Sequence, residues 1–141
     1  MTKKTKESLI DWCYAAVTFQ ALKGKRVVVF GHDSMGMETA LPHVSATRNQ
    51  FGIEITRLDM KLLSDMLTKK SYDERELLKL KKWIKSDCLK IEIPKETDEH
   101  NLDKSLALYL IVRNMMKELN AVGGGFMSQL EWGSDSRGIP L

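Results

Sequence analysis

Cysteine is scarce in this chain: Cys13 and Cys88 are the two present among 141 residues. Two thiols cannot build a disulfide framework or a cysteine-based zinc site. Both fall in helix-like apolar patterns, so small buried thiols in a reducing compartment are expected. Long hydrophobic runs are missing as well. None approaches the ~20 apolar residues of a membrane span, and Asp11 and Gln20 break the N-terminal pattern where a signal peptide would need an apolar block. A cytoplasmic protein without membrane association is therefore expected. A surplus of one charge is also absent, since 22 Lys and Arg face 19 Asp and Glu for a formal net charge of +3. The locally basic stretches, Lys3, Lys4 and Lys6 and then Lys79, Lys81 and Lys82, come without stacking or groove-reading side chains. They read as solvated helix faces and not as a nucleic-acid surface.

What is present is hydrophobic periodicity enough for one domain with its own core. From Lys6 to Leu22 the residues Leu9, Ile10, Trp12, Cys13, Ala16, Val17 and Phe19 fall mostly three and four apart, the spacing of an amphipathic helix. Gly24 is suited to the left-handed position that ends it. Lys25 to Phe30 then reads as a strand, and its unbroken valines predict burial on both faces, as in a parallel sheet. Glu38 to Gln50 reads as a helix with Pro42 in its first turn, and Ile53 to Leu58 alternates as a second strand. Asp59 is placed to cap a helix carrying Leu62, Leu63, Met66 and Leu67. Ser71 and Glu74 have capping-box spacing ahead of a helix that directs Leu77, Leu80, Trp83 and Ile84 to the core. Cys88 to Thr97 is a connector with a short extended piece at Ile91 to Ile93. The longest helix, about Asn101 to Asn120, is apolar almost all round at its centre and should be deeply buried. Ala121 to Phe126 is the third strand; its three successive glycines predict close packing or binding.

These elements define an α/β fold: a small, doubly wound, mostly parallel sheet of about three strands with helices on both faces. Residues 1–141 form a single domain. No helix follows the third strand to cover it, so the chain is expected to be a fragment truncated at its C-terminus, with later domains absent.

Two loops are candidates for chemistry. Gly31-His32-Asp33-Ser34-Met35-Gly36-Met37 follows the first strand, where ligands bind in open α/β sheets. Ser34 and nearby amides could donate to an oxygen-rich ligand. The dinucleotide fingerprint lacks its third glycine here, and the phosphate loop its Lys-Ser/Thr. The second loop, Gly125 to Arg137, sets the amide of Gln129 and the indole of Trp132 just past a strand, a combination suited to sugar hydroxyls and a sugar face. His32, His43 and His100 have no zinc-motif spacing and read as isolated or capping residues. Ser34, His32 and Asp33 cannot form a triad, because sequence neighbours cannot face one another as its geometry requires.

The first loop resembles the Gly-x-x-Ser-Met-Gly-[Ile/Met] loop of the L-fucose isomerase family, relatives of L-arabinose isomerase. The second strand closing in Asp59-Met60 matches in order, as does Tyr72-Asp73-x-x-Glu76 opening a helix that ends in Trp83-Ile84-Lys85-x-x-Cys88. The run Gly125-Phe126-x-x-Gln129-x-x-Trp132 is similar to the family's Gly-Phe-Gln-Gly-Gln-Arg-Gln-Trp. The resemblance covers nearly the whole chain as the central, Rossmann-like domain of three. It implies part of a ketol isomerase of carbohydrate metabolism, interconverting an aldose and a ketose of the L-fucose or L-arabinose type. A sugar-binding or regulatory module with the same core is the alternative. The family's cofactor is a divalent cation, Mn²⁺, which polarises the open-chain carbonyl while a carboxylate moves the proton. Its ligands and the catalytic acid and base are expected downstream of Leu141, so none is assigned in this chain, and the fragment alone should be inactive. Substrate contacts carry over to Gln129, Trp132 and Ser34. Met127, Leu130 and Glu131 depart from the family's Gln, Arg and Gln, which implies altered sugar selectivity. Family members are oligomers, so the full-length protein is expected to be a homo-oligomer.

Overall fold

The computed structural model of the protein describes residues 2–31, 41, 43–88, 92 and 98–127. Its elements in chain order are α1 (Lys3–Leu22), β1 (Arg26–Phe30), α2 (Val44–Phe51), β2 (Glu54–Leu58), α3 (Met60–Thr68), α4 (Glu74–Asp87), α5 (Glu99–Glu118) and β3 (Ala121–Phe126). The strands form one parallel sheet in the order β2-β1-β3. Chain direction explains that order. The crossover through α2 moves from β1 to one neighbour, and the crossover through α3, α4 and α5 moves to the other. Right-handed connections then place α2 and the α3–α5 group on opposite faces of the sheet. The expected α/β architecture is observed.

The core lies on the α3–α5 side. Val28 and Phe30 of β1 point the same way, as alternate residues of a strand do. They meet Met60 and Leu63 of α3 and Ile111 and Met115 of α5. Leu63 and Ile111 are completely excluded from water. Covering such side chains stabilises by about 1.5–3 kcal/mol each. α5 is less deeply buried than its apolar centre predicts: Ala107, Leu110, Ile111 and Met115 are buried, whereas Tyr109 is half exposed. α4 packs on α5 as an outer layer and buries none of its residues. Arg113 donates to Glu76, and Lys81 pairs with Asp103 at 2.7 Å. These part-exposed pairs fix the relative placement of the two helices more than they add stability.

Helix ends follow local chemistry. Gly24 and Gly52 take the left-handed conformation at φ 76° and 69°, and Asp59 accepts from the Lys61 amide at 2.7 Å, as a cap should. The predicted Ser71 capping box does not form. α4 begins at Glu74, so Asp73 occupies the cap and accepts from the Arg75 amide at 2.7 Å. Ser71 instead closes α3, donating its amide to the Met66 carbonyl at 2.8 Å, with Lys70 left-handed at φ 52°.

Further corrections concern burial. Trp83 is 58% exposed; the part-buried apolar residues of α4 are Leu77, Leu80 and Ile84. Cys13 and Cys88 are both exposed, not buried. α1 forms as predicted, yet none of its residues is buried. The second helix starts at Val44 among the described residues; residues 38–40 and Pro42 lie outside them, as do Ile91 and Ile93 of the predicted connector. No helix among the described residues is long and apolar enough to cross a membrane.

The three glycines of β3 have different surroundings. β3 carries a one-residue irregularity against β1, with Arg26 opposite Ala121 but Val27 opposite Gly123. As a result Gly124 faces α5. A Cβ there would lie 3.0 Å from the Val28 carbonyl oxygen and 3.2 Å from Met116 Sδ. Gly124→Ala should therefore lower stability by about 1–3 kcal/mol in urea denaturation. Combined with Met116→Ala the two losses should sum to less than their separate values, since both act on the same contact.

Candidate functional site

The carboxyl ends of the three strands form a continuous rim. β1 is the middle strand, and both partners bond to the chain as it leaves the sheet. The Gly31 amide donates to the Leu58 carbonyl at 2.8 Å, and the Met127 amide donates to the Phe30 carbonyl at 2.8 Å. Beneath them Phe30 and Phe126 stack with ring centroids 5.1 Å apart and an interplanar angle of 23°. The floor of the rim is thus aromatic and the backbone at its lip is hydrogen-bonded.

Gly31 is buried with φ 100°, a conformation L side chains resist. It turns the chain abruptly off β1 while keeping its amide on β2. On the far side of the rim Asp59 follows β2 immediately and caps α3, so one helix N-terminus opens there.

The order β2-β1-β3 puts the topological switch point between β1 and β3, where successive connections depart to opposite sides. Ligands of open α/β sheets bind in that crevice. The two loops singled out in the sequence spring from its two sides. One leaves β1 at Gly31 and the other leaves β3 at Met127, from strands paired Phe30 to Phe126. Adjacent strands lie about 4.8 Å apart, so the structure brings together the roots of segments distant in sequence. Ser34, Gln129 and Trp132 themselves lie outside the described residues, as do His32 and Asp33.

The remaining histidines are accounted for or isolated. His43 is the N-cap of α2, its Nδ1 accepting from the Ala46 amide at 3.1 Å, which is the capping role expected of it. His100 is exposed in the first turn of α5. No three His, Cys, Asp or Glu side chains among the described residues converge as a metal site.

A second concavity of about 540 Å³ lies among α3, α4 and α5, lined by Ser64, Thr68, Lys70, Tyr72, His100 and Lys104 among others. Lys81 and Asp103, which also line it, already neutralise one another. Sequence reasoning missed this cleft: each helix lends it residues three and four apart, such as Ser64, Leu67 and Thr68 of α3 and His100, Asp103 and Lys104 of α5, but which faces meet is set by helix packing that no motif in the sequence records. It includes no strand and none of the rim. The switch-point crevice is the better candidate site, since the strand ends meet there and both candidate loops begin at its edge.

The family model described as L-fucose isomerase, second N-terminal domain, matches residues 25–138. The chain belongs to the L-fucose isomerase family. The match spans β1 through the loop after β3 and begins just beyond α1. L-fucose isomerases of Haemophilus influenzae, strain PittEE and strain ATCC 51907 / DSM 11121 / KW20 / Rd, are each 22% identical over 150 residues, covering 90% of this chain and 26% of their own length. The chain therefore spans about a quarter of the length of the curated relatives it matches.

If the left-handed turn at Gly31 sets the rim, Gly31→Ala should cost roughly 1–3 kcal/mol of stability in chemical denaturation. Asp59→Ala, which removes the α3 cap on the same rim, should cost about 1 kcal/mol in the same measurement.

Proposed function

We propose that this chain supplies the sugar-recognising domain of an aldose–ketose isomerase of the L-fucose type. The family match across residues 25–138 is the observation that carries this reading. The switch point between β1 and β3 supports it physically, because the loops bearing Ser34 and Gln129 to Trp132 begin on its two sides. A sugar presents hydroxyls, which need partners able to donate and accept, and a flat C–H face, which suits an aromatic ring. In this reading Gln129 takes the first task and Trp132 the second. Ser34 adds a donor from the opposite loop. The divalent cation, Mn²⁺, and the proton-transferring carboxylate belong to parts of the enzyme outside this chain.

Met127 bears on selectivity. It stands where the family pattern has a glutamine, its backbone is fixed by the bond to Phe30, and the residue is half buried. A thioether there cannot satisfy a sugar hydroxyl. A sugar hydroxyl facing Met127 would lose about 1–3 kcal/mol of binding relative to one facing an amide. The preferred sugar accordingly differs from L-fucose at that hydroxyl or lacks it.

Calorimetric titration with L-fucose, L-fuculose and L-arabinose tests the reading. At least one should bind, and Gln129→Ala and Trp132→Ala should each weaken it about tenfold, equivalent to ~1.4 kcal/mol. Binding by none of the three, or binding unchanged by both substitutions, would overturn it. The isolated chain is expected to show no Mn²⁺-dependent interconversion of these sugars, and turnover by the purified domain would contradict the division of labour.

A further inference from the structure

Phe126 ends β3 at the switch point, and its setting differs from that of the other exposed aromatic residues. Trp12, Tyr14, Phe19, Phe51, Trp83 and Tyr109 all lie on helices, so among the described residues Phe126 is the exposed aromatic side chain that belongs to the sheet. It is 46% exposed, whereas Phe30, the ring it stacks on, is 1% exposed. Single exposed apolar residues are ordinary on a protein surface. This one is held in place from behind. Phe30 is part of the core cluster with Met60, Leu63 and Ile111. The pairing of β1 with β3 sets Phe126 directly opposite Phe30, and the two rings meet with centroids 5.1 Å apart. A side chain whose rotamer is locked by packing on one face is preorganised to meet a ligand with the rest of its surface.

The two amides at the lip beside this ring are already engaged. Gly31 donates to the Leu58 carbonyl and Met127 to the Phe30 carbonyl, both at 2.8 Å. A hydroxyl seated over the ring would give up its bonds to water and gain no donor from either amide, whereas a methyl group there gives up nothing. Hexoses differ in that respect at their terminal carbon, which is a hydroxymethyl group in the parent sugars and a methyl group in the terminally deoxygenated ones.

Building on the sugar-recognising role proposed above, we infer that Phe126 contacts the substrate, its exposed ring surface receiving the terminal methyl group of a deoxygenated hexose and disfavouring the hydroxymethyl group of the parent sugar. Gln129 and Trp132 serve the hydroxyls and the flat face of the sugar, and Phe126 serves its end. Phe30 is a positioning residue, since it is buried and acts on the ligand only through the ring it supports.

Calorimetric titration of the chain with two matched pairs tests this. L-fucose and L-galactose form one pair and L-rhamnose and L-mannose the other, the members of each differing in methyl against hydroxymethyl at the terminal carbon. In whichever pair binds, the deoxygenated member should bind about tenfold more tightly, the low end of what one such group discriminates in an apolar site. Phe126→Gln should bring the two members to equal affinity. Phe126→Leu keeps an apolar contact and should retain most of the preference. Circular dichroism and the urea midpoint check the fold of each variant, and the ratio within a pair is unmoved by any loss of folded protein, which both sugars share. No preference in the unmodified chain, or a preference untouched by Phe126→Gln, would overturn the inference; weaker binding by Gln129→Ala and Trp132→Ala in the same titrations would leave the sugar-recognising role standing. Binding by none of the four would also overturn it, and with L-fuculose and L-arabinose unbound as well would overturn that role too.

Discussion

The rest of the structure depends on the double pairing of β1. Its five residues bond to β2 along one edge and to β3 along the other, and Val28 and Phe30 provide the floor on which α3 and α5 close. Because β1 is central, the direction in which the chain leaves it decides the topology. The first crossover goes to one side and the second to the other. The crevice between β1 and β3 is a by-product of that reversal, as are the aromatic stack beneath it and the amide bonds at its lip.

This constraint gives the L-fucose isomerase relationship physical content. Sequence identity of 22% to the Haemophilus influenzae enzymes is low, but the matched segment comprises the strands, the helices between them and the two loop roots at the switch point. Ion pairs among the described residues tie its elements together: Arg113 with Glu76 and Lys81 with Asp103 join α4 to α5, and Arg48 with Glu54 joins α2 to β2.

Much of the architecture was legible in the sequence because its signals are local. The valine run of β1, the alternation in β2, Asp59 as a cap and Gly24 as a left-handed stop each depend on a few adjacent residues. The failures required knowledge of distant packing. Trp83 looked like a core residue from its spacing, but α4 packs on another helix and not on the sheet, so that face stays wet. Cys13 and the α1 stripe read as buried because amphipathicity reveals that a face is apolar, not that something covers it. Ser71 had the right spacing for a cap, and lost the position to Asp73 because its own amide was already committed to ending α3. The candidate site was legible as two loops past two strands. Their adjacency was not, since strand order is set by crossovers that no motif records.

The one-residue irregularity between Ala121 and Gly123 has a reach well beyond its size. Side chains in a strand alternate in a two-residue rhythm, so a single inserted residue reverses the phase of everything after it. The extra residue at Val122 is what puts Gly124 beneath Met116 and turns Gly123 and Gly125 outward. It also sets the parity with which the chain arrives at Met127. A chain that gained or lost one residue at this point would turn a different glycine towards Met116, so the run of three glycines tolerates either phase where larger side chains would permit one.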